Sequence, residues 1–377
     1  MTVVDPGWTP VTTVEQFVAR AEHERDLHMA GTIRSLSVYG YGALLGADGI
    51  NHARQGSKQI VSRLMGLSYL LHGGPDAAEA LSIRRMALAA TSHEMYIDAS
   101  LIHDDLMDRS ATRRGRPSLH KYFARVHQDS NWAGDSARMA RCLALMIGDV
   151  LLVASENVFS EALDGLRGEQ TDYMRRIHQL TRIEQMMGQS LDTLGPYIAD
   201  ADDPDKIIRI ANDTIRAKTA RYLAGAPLAL GAAGAGAAVA EAELMMEAGI
   251  LLGEAYQLQD DIVGALGDPE VSGKPVGQDL IDGKRTVLVG LTLRLLGPAE
   301  RRSFAGALAR GDAPPVDARV RYLQGVIRSS GAVAELEAMI SDRRQRAFEV
   351  MERSRLDADG QAQLRQMADW FLAPARN

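Results

Sequence analysis

The 377-residue sequence lacks several features that would assign it to common protein classes. Cys142 is its single cysteine, which excludes a disulfide framework and a thiolate metal site within the chain. The chain has a net charge of −7 and so no excess of basic residues. This argues against a nucleic-acid-binding protein, because binding to a phosphate backbone requires clustered lysine and arginine. The start of the chain carries Asp5 and Glu15 but neither a basic region nor an apolar stretch, so no signal peptide is predicted. We therefore expect a cytoplasmic protein.

A convincing membrane span is also missing. Residues 223–240 are uncharged, but alanine and glycine dominate them and Pro227 interrupts them, which makes their hydrophobicity weak for a span. We interpret this segment as a tightly packed helix, a turn and another helix. No integral membrane segment is predicted.

Most of the chain shows apolar residues at helical spacing, and neither strand-type alternation nor an internal repeat stands out. With 46% hydrophobic residues, the chain can bury a large core. An amphipathic segment at 14–29 is able to pack on this core or on a partner. The main predicted helices cover residues 59–71, 77–108, 136–163, 169–194, 207–232 and 238–266, and shorter helices follow to about residue 372. The pattern predicts an all-α protein.

The most informative feature is the acidic cluster HDDLMD at residues 103–108. Asp104 and Asp108 share a helix face, because positions i and i+4 lie roughly 6 Å apart. Like charges at this separation raise each other's pKa unless a cation lies between them. Oxygen ligands of this kind suit Mg²⁺, whereas the simpler alternative is a solvated, acidic helix end.

A second acidic pair decides between these interpretations. Asp260 and Asp261 end another apolar helix, and two such helices facing one another would form a carboxylate cage. Arginine grips phosphate with two parallel hydrogen bonds and lysine serves as a point charge. Cations suited to a polyphosphate accompany the acids in the sequence: Arg113, Arg114, Lys218 and Lys274. The combination predicts Mg²⁺-diphosphate chemistry.

These blocks resemble the trans-type polyprenyl diphosphate synthase family. The matching segments are SLIHDDLMD at 100–108, RRGRP at 113–117, GQSLD at 188–192, KT at 218–219, YQLQDD at 256–261 and GKPVGQDL at 273–280, in the family's order and spacing. The resemblance implies the all-α isoprenoid synthase type I helical bundle with a central active-site tunnel. Because one large domain is normal in this family, we expect an N-terminal extension at 1–33 and a single helical domain at 34–377. The resemblance also implies a homodimer.

The activity that the resemblance implies is that of a prenyltransferase, which ionises an allylic diphosphate with the help of three Mg²⁺ ions. The implied catalytic set is Asp104, Asp105, Asp108, Lys218 and Asp260. The implied metal ligands are Asp104, Asp108, Asp260 and Asp261, with Gln257 in support. The implied phosphate-binding residues are Arg113, Arg114, Lys218, Thr219 and Lys274. Together these groups would stabilise charge on the departing pyrophosphate, while an apolar tunnel keeps water from the allylic cation.

Chain length is predicted from the helix that leads into the first cluster. Ala99 and Ser100 are small, whereas family members that stop at farnesyl carry an aromatic residue there. One helical turn further, about 5.4 Å along the helix, Tyr96 lies on about the same face. Tyr96 is the predicted floor, and the tunnel is expected to hold about a geranylgeranyl chain.

The acceptor side departs from the family pattern. Family enzymes that add isopentenyl diphosphate carry Gly-Gly-Lys-Arg-x-Arg-Pro, whereas residues 56–62 read GSKQIVS and a family histidine is Ile97. Lys58 and Arg114 remain of the second diphosphate site, and each lost charge-assisted contact costs about 1.5 to 3 kcal/mol. Arg54 and Arg63 are the candidates to compensate for the two missing arginines. The second acidic motif also ends in Gly264 instead of aspartate.

Several acceptors are therefore compatible with the sequence. The favoured interpretation is a geranylgeranyl-type polyprenyl diphosphate synthase that uses isopentenyl diphosphate. The missing arginines favour the alternatives, which are a prenyltransferase using another small nucleophile, such as indole or another aromatic, and a terpene cyclase. A non-catalytic partner that regulates another prenyltransferase would be expected to have lost its metal ligands, and they are intact.

Overall fold

The computed structural model describes residues 11–74, 81–198, 200–267, 277–309 and 316–373. The helices of the first half are α1 (Val14–Leu36), α2 (Tyr41–Arg54), α3 (Ile60–Leu71), α4 (Ile83–Met107), α5 (Leu119–Asp129), α6 (Ser136–Ala162) and α7 (Glu169–Ile198), with a 3₁₀ turn at Ser37–Tyr39. Those of the second half are α8 (Pro204–Ile215), a π-helix (Arg216–Gly225), α9 (Ala226–Gly234), α10 (Val239–Leu266), α11 (Gln278–Ile281), α12 (Val287–Leu295), α13 (Pro298–Leu308), α14 (Val316–Ser330), α15 (Ala332–Glu352) and α16 (Ala358–Leu372). The all-α prediction is confirmed.

Local sequence signals mark where several helices begin. Thr13 and Gln16 form a capping box at α1, in which each side chain bonds to the backbone of the other. Asp135 accepts hydrogen bonds from two backbone N–H groups at the start of α6. Asp203 caps α8, and Pro204 follows at a position where its missing N–H costs nothing. These caps satisfy backbone donors that a helix leaves unpaired at its N-terminus.

The only β structure within the described ranges is a hairpin after α4, in which each of the two strands is two residues long. Thr112–Arg113 pairs antiparallel with Arg116–Pro117. Arg114 and Gly115 form its turn with positive φ angles of 53° and 72°. The hairpin matters because it turns the chain back beside the acidic end of α4.

The segment predicted to be a packed helix, a turn and a helix has that form. Every residue of α9 is buried, and a Cβ at Gly231 would lie 2.4 Å from the carbonyl oxygen of Met65 on α3. Glycine thus lets the two helices approach closely. Among the described helices, α6 alone is long and apolar enough to cross a membrane, and 44% of its most apolar window is buried in the bundle. A buried core helix passes the same test of length and composition.

The predicted domain boundary after residue 33 falls inside α1. Phe17 is fully buried in the main core, and the hydroxyl of Thr91 on α4 donates a hydrogen bond to the carbonyl of Ala21 at 2.8 Å. Arg25 forms an ion pair with Asp98, also on α4. Residues 11–33 are therefore part of the helical domain. Their apolar face packs against α3 and α4, and the buried charge of Arg25 is paired with Asp98 of α4.

Candidate active site

The acidic motifs of α4 and α10 meet at one cavity of about 660 Å³. Its walls come from α4, the hairpin, α7, α8, the π-helix, α10 and residues 278–286. The acidic lining residues are Asp104, Asp108, Asp192, Asp260, Asp261, Asp279 and Asp282, with Glu94 at another part of the wall. The basic ones are Lys58, Arg109, Arg113, Arg114, Lys218, Lys284 and Arg285. Tertiary packing thus gathers the acids and bases that the sequence holds far apart.

Asp104 is the centre of this polar network. It accepts hydrogen bonds from Arg113 Nη2 at 3.0 Å, Lys218 Nζ at 3.1 Å and Gln189 Nε2 at 3.2 Å. Burial alone would raise the pKa of Asp104, but Lys218, Lys284 and Arg113 outweigh it and lower that pKa. The carboxylate is therefore held ionised.

Two lysines bridge the acids of different helices. Lys218 Nζ lies 2.6 Å from Asp192 as well as 3.1 Å from Asp104, and Lys284 Nζ lies 2.8 Å from Asp108 and 3.7 Å from Asp192. Burial alone would lower the pKa of Lys284, but the surrounding carboxylates raise it well above its usual value. Both lysines thus stay charged and point into the cavity, where they can meet a phosphate group.

Lys284 was missed at the sequence level. The only signal that could have found it is that Gly283-Lys284 repeats the Gly-Lys pair at 273–274. Gly283 has a φ of 70°, and the backbone N–H of Lys284 donates to the carbonyl of Asp279 at 2.9 Å. This turn directs Lys284 towards Asp108. Lys274, which was predicted to bind phosphate, lies outside the described residues.

Asp105 does not line the cavity wall in the way that Asp104 does. It is 4% exposed and accepts hydrogen bonds from Arg113 Nε at 3.0 Å and Nη2 at 2.6 Å. Burial raises the pKa of Asp105, and Arg113 opposes that rise. The hairpin carries Arg113, so Asp105 fixes the guanidinium that also contacts Asp104. Its contacts indicate a positioning role.

The second acidic motif is held by amide and hydroxyl groups. Thr219 Oγ1 donates to Gln257 Oε1 at 3.0 Å, and Gln257 Nε2 donates to Asp261 at 3.1 Å and to Asp260 at 3.5 Å. Burial raises the pKa of Asp261 well above its usual value, and neighbouring carboxylates, Asp279 first among them, add to the rise. The carboxylates of Asp279 and Asp260 therefore act on Asp261 in addition to its burial.

Gly264, the departure at the end of this motif, makes room for another carboxylate. A Cβ at position 264 would lie 1.9 Å from Asp279 Oδ2. The carboxylate of Asp279 thus occupies the space that a side chain at position 264 would need. The motif keeps three acids at this end of α10, with the third supplied by α11.

The donor set fits a hard divalent cation that is shared with a substrate. Within the described residues, no three His, Cys, Asp or Glu side chains converge closely enough to hold a metal by themselves. Mg²⁺ is usually bound by one or two carboxylates, with the other positions taken by water and substrate phosphates. A cation bound beside Asp261 would offset the repulsion from the neighbouring carboxylates of Asp279, Asp260 and Asp192.

Apolar side chains also line the cavity. They are Ile60, Ile97, Leu101, Ala111, Leu191, Ile210, Ala211, Ile215 and Leu223. Ser100 lines the cavity as predicted, while Ala99 is fully buried behind it. Tyr96 is 1% exposed, and its ring lies 4.8 Å from the ring of Tyr222, which does line the cavity. Tyr222 and Tyr256 are therefore the aromatic side chains that line the cavity, and Tyr96 lies behind Tyr222.

On the acceptor side, Lys58, Ile97 and Arg114 all line the cavity. The two arginines considered as replacements both have ion-pair partners, and Arg54 also lines a smaller cavity beside this one. Arg54 forms an ion pair with Asp26, and Arg63 lies 3.5 Å from Glu15 with its guanidinium 5.4 Å from the centre of the Trp370 ring.

Known proteins resemble this chain in both sequence and structure. The sequence model of the Polyprenyl synthetase family matches residues 49–322. A geranylfarnesyl diphosphate synthase of Aeropyrum pernix is 29% identical over 85% of this chain and 91% of the relative. A geranylgeranyl diphosphate synthase of Sulfolobus acidocaldarius is 30% identical over 68% of this chain and 69% of the relative.

A solved structure matches almost the whole chain. It is a geranylgeranyl pyrophosphate synthase from Corynebacterium glutamicum, complexed with isoprenyl diphosphate and magnesium. The two structures superpose with a TM-score of 0.85 at 27% identity, over 96% of this chain and 99% of the other. The chain therefore belongs to the polyprenyl synthetase family and is a prenyltransferase of the polyprenyl diphosphate synthase type, with the all-α isoprenoid synthase fold.

Proposed function

We propose that this protein is a Mg²⁺-dependent synthase of the geranylgeranyl type, which joins an allylic diphosphate to isopentenyl diphosphate. The carrying observation is that one cavity is lined by the charged groups of Asp104, Lys218, Lys284 and Asp260 and also by apolar side chains such as Ile97, Leu101 and Ile215. A diphosphate head needs the charged lining, and a prenyl tail needs the apolar one. The named relatives are diphosphate synthases, which favours this function over an indole-type prenyltransferase or a terpene cyclase.

The residues would act mainly by electrostatics. Lys218, Lys284 and Arg113 would bind the allylic diphosphate and stabilise the negative charge that develops when its C1–O bond breaks. Asp104, Asp108, Asp260 and Asp261 would hold Mg²⁺, which when bound supplies further charge stabilisation. The prediction of three ions rests on the resemblance alone.

The acceptor would complete the reaction on the other side of the allylic cation. The alkene of isopentenyl diphosphate would form the new carbon–carbon bond, and the released pyrophosphate would accept the proton that the product loses. Apolar side chains such as Ile97 and Leu101 would keep water from the cation.

Product analysis tests this function directly. Purified protein is incubated with Mg²⁺ and farnesyl diphosphate, with and without isopentenyl diphosphate, and the products are identified by mass spectrometry. We expect elongation only when isopentenyl diphosphate is present, and loss of elongation in Asp104→Ala. Pyrophosphate release that requires indole, or a hydrocarbon product, would instead support one of the alternatives.

Tunnel depth is a separate prediction. We expect Tyr96→Ala to lengthen the products, because the vacated volume beside Tyr222 lets that ring withdraw from the cavity. Tyr222→Ala, which removes the lining ring itself, is the companion variant and should lengthen them at least as much. An unchanged product length in both variants, measured by mass spectrometry, would contradict this account of the floor.

A homodimer remains a proposal, and a face of α6 and α7 supports it. The large apolar residues exposed there are Leu145, Met146, Val153, Leu180, Ile183, Met186, Met187 and Leu194. Large apolar side chains exposed on neighbouring turns of a helix are typical of an interface. Light scattering of the purified protein gives its mass and thus decides the point.

A cytoplasmic location likewise remains a proposal that rests on the sequence.

A further inference from the structure

A second cluster of buried charge lies apart from the Asp104 network. Arg25 of α1 is 5% exposed and forms an ion pair with Asp98 of α4, which is 2% exposed. On the other side of the same carboxylate, Arg114 Nη1 lies 3.6 Å from Asp98 Oδ1. One buried carboxylate therefore holds two guanidinium groups, one from the N-terminal helix and one from the hairpin.

This cluster borders a second cavity of about 540 Å³, which adjoins the main one. Its lining residues are Glu22, Arg25, Asn51, Arg54, Gln55, Gly56, Ser57 and Gln59. Gly56, Ser57 and Gln59 also line the main cavity, where Lys58 and Arg114 are found. Since this lining is polar apart from one glycine, the second cavity suits a polar anion and not a prenyl tail.

Charged side chains of both signs lie around this junction. The cations are Arg25, Arg54, Lys58 and Arg114, and the carboxylates are Glu22, Asp26, which pairs with Arg54, and the buried Glu94 and Asp98, one helical turn apart on α4. Glu94 accepts a hydrogen bond from the backbone N–H of Ser62 at 3.0 Å, so its charge is directed to the start of α3. Burial raises the pKa of both carboxylates, and for Asp98 the neighbouring Arg25, Arg114 and Arg54 oppose that rise. An incoming anion would meet the guanidinium groups of Arg25 and Arg114 in a poorly solvated site, where charge interactions are strong.

We propose that Arg25 is a binding residue for the acceptor's diphosphate, supplied by α1 in place of the arginines absent from residues 56–62. Asp98 is its counter-ion, which holds Arg25 and Arg114 beside the cavity until the acceptor binds. The inference rests on the proposed function, because it takes the acceptor to be a prenyl diphosphate. In this proposal, α1 binds part of the substrate together with the hairpin and the segment before α3.

The test compares variants that differ in one charge. Arg25→Gln alone would leave Asp98 buried without its main partner and could prevent folding. We therefore compare Asp98→Asn with the double variant Arg25→Gln/Asp98→Asn, in which position 98 is neutral in both. We expect the KM for isopentenyl diphosphate to be about tenfold to a hundredfold higher in the double variant, the factor that corresponds to one charge-assisted contact. The KM for farnesyl diphosphate should be the same in both.

Arg20→Gln is the matched control. Arg20 is 3% exposed on the same helix and is ion-paired with Glu24 at 2.9 Å, but it lines neither cavity in the described part of the chain. Its substitution should leave the ratio of the two KM values unchanged. A shift in that ratio as large as the one caused by removing Arg25 would mean that α1 had simply been disturbed, and it would overturn the proposal.

Calorimetric titration separates this proposal from the proposed function. Isopentenyl diphosphate is titrated into the same two variants, and the dissociation constants should differ by the same factor as the KM values. Elongation with no dependence on Arg25 in either measurement would overturn the inference and leave the function intact. Binding that depends on Arg25, in a protein that forms no elongated product, would support the site and contradict the function.

Discussion

Asp104 accepts hydrogen bonds from three side chains, those of Arg113, Gln189 and Lys218, before any substrate is considered. Each donor comes from a different element, so the Asp104 carboxylate links the hairpin, α7 and the π-helix through hydrogen bonds. Charges that are already in position need little rearrangement when negative charge develops on a leaving group. At the scale of single residues, the site is therefore arranged for a phosphate group in advance.

A pair of buried histidines lies on the far side of Tyr222. The ring of His93 stacks on that of Tyr222 at 5.3 Å, and neither of its nitrogens has a hydrogen-bond partner among the described atoms. The ring of His178 stacks on Phe159 at 3.5 Å, and its Nε2 lies 3.2 Å from Glu156. Burial lowers the pKa of His178 to about 4 and that of His93 well below its usual value.

These shifts predict a loss of stability in mild acid. Below pH 6.5 the unfolded chain takes up protons that the folded protein does not, so the free energy of unfolding falls as the pH drops from 6.5 towards 4. His178 alone accounts for about 3 kcal/mol over this window. Glu156, whose pKa is lowered to about 2 chiefly by its hydrogen bond with His178, stays ionised throughout. Urea unfolding across the window measures the effect.

Two substitutions make the pH prediction specific. His178→Gln should remove part of the pH dependence, because glutamine does not titrate. His23→Gln, at an exposed position on α1, should keep the dependence of the parent protein. A free energy of unfolding that is constant between pH 6.5 and 4 would contradict the assignment of these histidines as neutral and buried.

At the scale of elements, the π-helix between α8 and α9 is the feature that brings several side chains to the cavity. It carries Lys218, Thr219 and Tyr222, and its backbone touches two neighbouring helices. A Cβ at Gly188 of α7 would lie 2.3 Å from the backbone nitrogen of Lys218, and one at Gly253 of α10 would lie 2.5 Å from Cα of Ala220. The 3.6-residue spacing predicted one helix over 207–232, because a wider local turn leaves no distinct apolar period.

Gly188→Ala should therefore damage both stability and activity. The added methyl group meets backbone and not a flexible side chain, so we expect a loss of about 1 to 3 kcal/mol in the free energy of unfolding. Displacing Lys218 by an ångström should lower kcat about a hundredfold. Denaturant unfolding and steady-state kinetics measure the two effects.

Gly306→Ala on α13 is the control for that variant. No atom lies within 4 Å of a Cβ at this position, so alanine should stabilise the helix by at most about 1 kcal/mol and leave kcat unchanged. If Gly188→Ala behaved like Gly306→Ala, the close contact between α7 and the π-helix would not be a determinant of the site.

At the scale of the whole molecule, the N-terminal helix belongs to the core. The ring of Phe17 is fully buried, and a Cβ at Gly66 of α3 would lie 2.5 Å from its Cδ1. We expect Phe17→Ala to lower the free energy of unfolding by about 3 to 5 kcal/mol, as for other buried aromatic residues. Leu27→Ala, at a position 51% exposed on the same helix, should cost far less. Chemical denaturation of both variants measures this, and equal small losses would mean that α1 is an appended segment.

Much of the site was predictable because its chemistry is local. Asp104 and Asp108 belong to one helical turn, and Asp260 and Asp261 are adjacent, so each cluster shows its character without knowledge of the fold. Lys284 and Asp279 carry no such local pattern. Their roles depend on a turn at Gly283 and on the space left by Gly264, and both are set by how residues 277–286 pack against α10.

The sequence by itself determined the helical class, the acidic motifs and the family, because helical periodicity and short motifs involve neighbours along the chain. Only the tertiary structure decided which charges meet. Asp98 and Arg25 are 73 positions apart, and Asp108 and Lys284 are 176 apart, so no spacing rule connects them. Their pairing follows from the packing of α1 on α4 and of the segment after α10 against the end of α4. The acidic motifs can thus be recognised from local sequence, whereas the pairs Asp98–Arg25 and Asp108–Lys284 depend on contacts that only folding creates.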